Sequence, residues 1–342
     1  MNLQKQKLTA AERKLGLLKA VYSYPAPQLR AALDASFLQK VWKIHKLSVR
    51  PAHLQEELLQ QEFGLDDCHE PVIEKVIKYL KHHVSGLSEF KHRYWVAGAH
   101  EGISETLVTM RLNGVSQIVV LPGEYEGFGI TAQKRAMTVR LVDPLAWSVS
   151  VPNKLERWFF SDPNARDGNY LSEGFVNAIA DRGHKVFLDL SYLAASEPRH
   201  LDVTHPNIET VVLSFSKPGL FYWRIGMLFS RHEIPGLDGN IWFKSVPAIQ
   251  AMERVVEQVP LGMYVRTYKA LQSKIVENLR REHDLPFLSS DAFLICHILQ
   301  DDLLEISAEQ RELLEHFRRD KNVFRFCLTP QFLDYDEEWW GR

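Results

Sequence analysis

The sequence predicts an α/β protein: a mostly parallel sheet flanked by helices, followed by a small α+β unit. Three observations predict it. Between Arg93 and Phe229 short apolar runs alternate with helical stretches, the pattern of βα units whose sheet is covered on both faces. Of the 342 residues 45% are apolar and 25% charged, an ordinary globular composition; at ~150 residues per domain the length suits one large domain with a smaller one. No run approaches ~18 consecutive apolar residues, so no helix is expected to span a membrane. The organisation read from this is an N-terminal helical segment over 1–50, a large domain over 51–255 and a C-terminal small domain over 256–342.

The elements follow in order. Thr9-Ala-Ala-Glu12 is a capping-box pattern ahead of Leu15, Leu18 and Val21, and the Pro25 and Pro27 pair should break that helix. After Pro71, Val72, Ile73, Val76, Ile77 and Leu80 share one helical face. Strands are expected at Arg93–Ala97, Ser116–Leu121, Thr138–Val142, Trp158–Phe160, Lys185–Leu190, Thr210–Phe215 and Ile225–Phe229. Helices are expected at Glu101–Leu112, Ile130–Ala136 and near Glu173–Asp181. A long helical region runs from Pro247 to Arg281 with a break near Pro260. The tail holds strands at Ala292–Ile298 and Val323–Leu328 around a helix at Ala308–Arg318.

Several function classes are excluded early. With 41 basic and 43 acidic residues the net charge is -2, which gives no reason to expect nucleic acid or a membrane surface as partner. The basic run Lys91-His92-Arg93 before Tyr94-Trp95 is too short to change that, and His82, His83 and His92 read as solvated surface. Cys68, Cys296 and Cys327 lie far apart, so neither a disulfide framework nor a zinc knuckle is expected, and no metal site. Met1 to Arg13 is polar and charged, unlike a secretory leader, so a cytoplasmic location is expected. Phosphate-binding G-x-x-x-x-G-K-[ST], G-x-G-x-x-G, G-x-S-x-G and H-E-x-x-H patterns are absent.

The ends of the expected strands are more informative, because open α/β sheets bind ligands there. Gly98-Ala99-His100 follows the first strand, and its small residues let a backbone approach an anion at the next helix N-terminus. Pro122-Gly-Glu-Tyr125 follows the second, Asp189-Leu-Ser-Tyr192 a later one, and Ser214-Phe-Ser-Lys217, then Arg224-Ile-Gly226, the next. A charge at the end of an apolar strand is costly unless something pairs with it. An Asp that keeps a pyridinium nitrogen protonated and a Lys that forms an imine with an aldehyde are the two essentials of a pyridoxal phosphate site.

These elements, in this order, resemble the fold-type I pyridoxal-phosphate enzymes, most of all the class I/II aminotransferases of the histidinol-phosphate type. The resemblance runs from about Tyr94 to Gly226, with weaker echoes to Arg325. Asp189-Leu-Ser-Tyr192 looks like the family's D-x-x-Y, and Ser214-x-x-Lys217 with Arg224-Ile-Gly226 like its S-x-x-K and R-x-G. The resemblance implies Lys217 as imine lysine and proton shuttle, Asp189 as partner of the ring nitrogen, and Tyr192 as partner of the ring 3-oxygen. Tyr125 would stack on the ring. Gly98, Ala99, His100, Ser214 and Arg224 would hold the phosphate. Arg325, in Val323-Phe-Arg-Phe-Cys-Leu, would grip a substrate carboxylate. A homodimer is also implied, and the apolar segment Phe37 to Leu47 has no obvious other role.

The chain departs from the family in three places. Asp162-Pro-Asn164-Ala165-Arg166-Asp167-Gly168 replaces the N-P-T-G turn; equal-length matching puts Ala165 where the ring-contacting asparagine belongs, and a one-residue shift puts Asn164 there, the candidate taken. Lys217 and Arg224 stand one residue closer than usual, with Tyr222-Trp223 before the arginine. The C-terminal small domain is trimmed. The resulting expectation is a pyridoxal-phosphate enzyme acting on an amino acid, by transamination first, by elimination, decarboxylation or cyclisation second, with a non-catalytic relic of the fold as the third reading.

Overall fold

The computed structural model describes residues 8–24, 26–37, 39, 69–143, 155–220, 223–238, 245–303 and 306–333. Seven strands form the central sheet: β1 (His92–Val96), β2 (Gln117–Val120), β3 (Thr138–Leu141), β4 (Arg157–Ser161), β5 (Lys185–Asp189), β6 (Ile208–Ser214) and β7 (Gly226–Ser230). Their order is β1-β7-β6-β5-β4-β2-β3. Every neighbouring pair is parallel except the two that β7 makes. The short link over residues 215–225 fits that reversal: a parallel return needs a crossover of ~12 residues or more, usually a helix, and the described part of this link includes a short π-helical turn, Ser216–Leu220.

Alternation along the strands divides the core between two faces. Val96, Ile118, Val120, Phe159, Phe187, Val212 and Leu228 join one apolar cluster with Ile103 and Phe128 from the covering helices. Trp95, Val119, Trp158, Phe160, Leu188, Val211 and Phe229 join the other. Phe159 and Phe187 are register partners on β4 and β5, and their rings stack at 4.6 Å. Helices Ala99–Leu112, Glu126–Gln133 and Phe175–Asp181 are three of the covering elements. The second of these begins four residues before the sequence places it. Gly127 and Gly129 read as loop, yet Phe128 and Ala132 are fully buried and hold the turn in place.

The N-terminal region differs more from expectation. The helix capped by the Thr9–Glu12 box ends after Leu15, where Gly16 turns left-handed at φ 63°. Pro27 does not end a helix but opens one, Pro27–Ala32. Past Gly16 the chain leaves the helix, and Leu18 bridges to Cys327. The helix after Pro71 is found as Glu70–Leu80. Of the segment Phe37 to Leu47, Phe37 is buried and meets Trp223 at 5.8 Å between ring centroids; Leu38 and residues 40–47 lie outside the described residues, as does the boundary near residue 50. Cys68 also lies outside them.

The long helical region is Val246–Gln258 and Met263–His283, broken at Pro260 as the sequence suggests. The tail forms a second, antiparallel sheet in the order β8 (Leu288–Ser289), β9 (Ile295–Leu299), β10 (Val323–Cys327), with a helix over Ala308–Glu315. β8 is too short to show a period in the sequence. The loop between β8 and β9 is tied to the loops after β4 and β5 by main-chain bonds: Ala292 N–H donates to the Gly168 carbonyl and Phe293 N–H to that of Ala195. Among the described residues no helix is long and apolar enough to cross a membrane.

Candidate active site

A cleft of about 630 Å³ opens at the carboxyl ends of β1, β2, β4, β5 and β6 and is walled by β10 and the N-terminal segment after Gly16. Ten of the eleven residues singled out from the sequence line it: Gly98, Ala99, His100, Tyr125, Asp189, Tyr192, Ser214, Lys217, Arg224 and Arg325.

One end of the cleft is built for an anion. Gly98 caps the helix Ala99–Leu112 with φ 87°. A Cβ at Gly98 would stand 3.0 Å from the Arg224 guanidinium, so glycine lets that cation lie against the backbone. Arg224 itself has φ 48°, and its Nη2 donates to the Ala97 carbonyl at 2.8 Å. Gly226 is equally constrained, because a Cβ there would meet the Leu213 carbonyl at 2.5 Å. Ser214 Oγ donates to Ser216 Oγ at 3.0 Å beside them. Helix N–H groups, a guanidinium and two hydroxyls together form a donor set suited to a phosphate. His100 stands at the edge, its Nδ1 3.5 Å from the Tyr125 hydroxyl; burial, then Arg135 and Arg224, keeps its imidazole neutral to lower pH than usual.

Along the floor lie Asp189 and Lys217. Val186, Phe187 and Leu188 drive β5 into the sheet, so Asp189 arrives at its edge buried. The turn that follows is fixed by Ser191 N–H donating to Asp189 Oδ1 at 2.8 Å. Burial pushes the Asp189 carboxyl up to about 6, against the pull of Lys217. Lys217 sits in the π-helical turn closed by Gly219 at φ 123°. Burial pushes its amine down to about 8. Its Nζ donates to the Val21 carbonyl and lies 5.5 Å from the Tyr192 ring centroid. Among the described residues neither the buried Asp189 nor the half-buried Lys217 has an ion-pair partner within 4.0 Å, though each feels the other's charge. Tyr192 is buried, with its hydroxyl pushed up to about 12.

The wall carries Arg325. It is buried on β10, donates to the Ala165 and Lys19 carbonyls, and leaves Nε without a partner. No carboxylate pairs with it among the described residues. A guanidinium so placed is a strong receptor for a planar anion.

Asn164 is the exception. It is buried, but its side chain is committed to its own turn: Nδ2 donates to the Asn169 carbonyl at 2.6 Å, and Oδ1 accepts from the Arg166 and Asp167 N–H groups at 3.0 and 3.1 Å. It does not line the cleft. Ala165 does, packed against Tyr192 and Ile295. The structure therefore places Ala165, not Asn164, against the cleft, because the Asn164 amide closes its own turn.

No family model matches the chain, and no curated protein matches it by sequence. Solved structures do match. An aminotransferase from Staphylococcus aureus superimposes with a TM-score of 0.65 at 15% identity, over 94% of this chain and 92% of that one. The chain has the fold of these aminotransferases. A putative histidinol-phosphate aminotransferase from Erwinia carotovora gives 0.58 at 15% identity, over 93% of this chain and 94% of the other. The L-threonine-O-3-phosphate decarboxylase from Porphyromonas gingivalis gives 0.62 at 13%, over 93% and 99%. The aminotransferase fold thus spans nearly the whole chain, and the tail that looks trimmed in sequence still supplies its second sheet.

Several lining residues carry no signal in the sequence. Lys19, Val21 and Tyr22 arrive on the non-helical stretch after Gly16, where the sequence pattern predicts helix. Arg319 reaches the cleft from beyond the Ala308–Glu315 helix; it pairs with Glu126 and donates to the Gly123 and Glu124 carbonyls. Ser161 and Ser216 were within reach, since both stand at strand ends beside chosen residues.

Proposed function

We propose that the chain is a pyridoxal-phosphate enzyme that acts on an amino acid, with transamination as its reaction. The observation that carries this reading is the floor of the cleft: a buried Asp and a half-buried Lys, neither ion-paired, beside a glycine, helix and arginine cradle suited to a phosphate. The residues fit the cofactor. Gly98, Ala99, His100, Ser214 and Arg224 would hold its phosphate, Asp189 its ring nitrogen, Tyr192 its 3-oxygen and Tyr125 a ring face. The ring supplies an electron sink for a carbanion when bound.

The chain's own contribution follows from charge. Asp189 favours a cationic ring nitrogen because opposite charges stabilise each other in a buried site. Lys217 Nζ, brought near neutrality by burial, can accept a proton from the substrate α-carbon and deliver it to a second carbon. Delivery to the cofactor side completes transamination. Arg325 would orient the substrate by its carboxylate, and the apolar wall of Ala165, Tyr192 and Val21 would keep water from the floor. Decarboxylation or elimination would use the same residues, and the cover of 99% of the threonine-phosphate decarboxylase favours keeping that reaction as the second reading. We also propose a homodimer, to be checked by sedimentation; a monomer at micromolar concentration with cofactor bound would end that proposal.

The deciding experiment is chemical labelling. Protein purified with pyridoxal phosphate should be yellow, and borohydride should fix the cofactor to Lys217, as peptide mapping would read. A colourless protein, or label on another lysine, overturns the reading. Recovery of the amine form of the cofactor after addition of an amino acid separates transamination from decarboxylation and elimination.

A further inference from the structure

Behind the floor of the cleft lies a second carboxyl, Glu124. It is buried and does not itself line the cleft, yet its contacts go to two residues that do. Oε2 accepts from the Tyr125 N–H at 2.9 Å and from Ser161 Oγ at 2.5 Å; Oε1 accepts from the Ser161 N–H at 3.1 Å. Ser161 ends β4 and is the register partner of Asp189 on β5, so the two side chains leave the sheet on the same side as neighbours. Ser161 thus binds the Glu124 carboxyl by side chain and main chain while standing beside Asp189 in the strand register.

The charges around Glu124 make this arrangement unusual. Asp189 on β5 and Asp162 after β4 face it with the same sign. Arg319 comes close but spends its guanidinium on the Gly123 and Glu124 main-chain carbonyls and on Glu126. No cation pairs with the Glu124 carboxyl among the described residues. Burial raises it to about 7. A carboxyl in that position is easily protonated, and a new cation on the Asp189 side would favour its ionised form.

We propose that Glu124 is a positioning residue for the ring-nitrogen end of the cofactor site, acting through Ser161 to set how strongly Asp189 holds a cationic ring; this rests on the reading of Asp189 given above. When Glu124 is ionised, the Ser161 hydroxyl donates to it and turns its lone pairs to the cleft, leaving Asp189 free for the ring. When Glu124 is protonated, it donates to Ser161, whose own proton is released towards Asp189 and competes with the ring nitrogen. The binding of a basic ring and the ionisation of Glu124 thus favour each other, and linkage requires the effect to be reciprocal.

The test uses the full chain and two ligands: pyridoxal phosphate, and its analogue with carbon in place of the ring nitrogen. Binding is measured by equilibrium dialysis at pH 6 and pH 8 for the parent, Glu124→Gln and Ser161→Ala. The parent should prefer pyridoxal phosphate over the analogue, and more so at pH 8. Both variants should lose about fivefold or more of that preference and its pH dependence, with analogue binding unchanged. Parent-like preference in both variants overturns the inference. So does an equal loss for both ligands with a lowered melting temperature, which would make Glu124 only a bracket between strand ends. If Lys217 is labelled by borohydride in all three proteins while the preferences match, the inference alone falls; if the parent is not labelled at Lys217, the functional reading falls with it.

Discussion

Lys217, half-buried, and Arg325, buried, are cations in one cleft, one from the end of the large sheet and one from the small sheet, and both donate to carbonyls of the same N-terminal segment. Burial acts on them differently. The Lys217 amine falls to about 8 and can shed its proton near neutral pH. The Arg325 guanidinium is also lowered by burial but stays charged, since its starting value lies far above any physiological pH. One is fit to carry protons and the other to hold an anion. Burial alone does not assign a role; the chemistry of the buried group decides what burial can make of it.

Four experiments would break or sharpen that contrast. Lys217→Ala removes the proton carrier, and turnover should fall by about 10⁴, the upper range for a general acid-base group; steady-state assay with borohydride labelling as control would read it. Asp189→Asn keeps shape but removes charge, so turnover should fall by about 10² or more while cofactor stays bound through its phosphate contacts. Full activity in that variant would detach Asp189 from the ring nitrogen.

Arg325→Ala should act on binding. Loss of hydrogen bonds to a charged group costs about 1.5–3 kcal/mol, so KM should rise about 10- to 100-fold with the cofactor spectrum unchanged. A fall in kcat without a change in KM would place Arg325 with Lys217 rather than against it.

The smallest effect concerns stability without ligand. The Asp189 carboxyl is raised from 3.8 to about 6, so the folded chain holds that proton more tightly than the unfolded one. Stability from this group is intact below pH ~4, is lost as pH rises from ~4 to ~6, and stays lost above. Ligand-free Asp189→Asn should therefore melt above the parent at pH 8, by up to about 3 kcal/mol, and match it at pH 4. Equal melting at both values would mean that the buried charge is compensated in the folded protein.

The readable parts of this site share a physical cause. Asp189 and Lys217 stand out because each interrupts an apolar run where a charge is expensive, and Gly98 and Gly226 because close packing against Arg224 and the Leu213 carbonyl tolerates no side chain. Glu124 stands in the same strand-end turn as Tyr125 and carries no sequence signal of burial, because a glutamate in a turn ordinarily faces water. Arg319 and Lys19 left no trace, since their placement depends on contacts with residues more than a hundred positions away.

By itself the sequence determined the alternation of strands and helices, the burial of both sheet faces, and the strand ends where chemistry would sit. These follow from local periodicity and from the cost of a charge beside an apolar run. Tertiary structure decided the rest. The short link over residues 215–225 reversed β7. The Asn164 amide closed its own turn and left Ala165 facing Tyr192. The segment after Gly16 did not continue the helix: Leu18 pairs with Cys327 at the end of β10, and a main-chain partner outweighs the helical preference of a few residues.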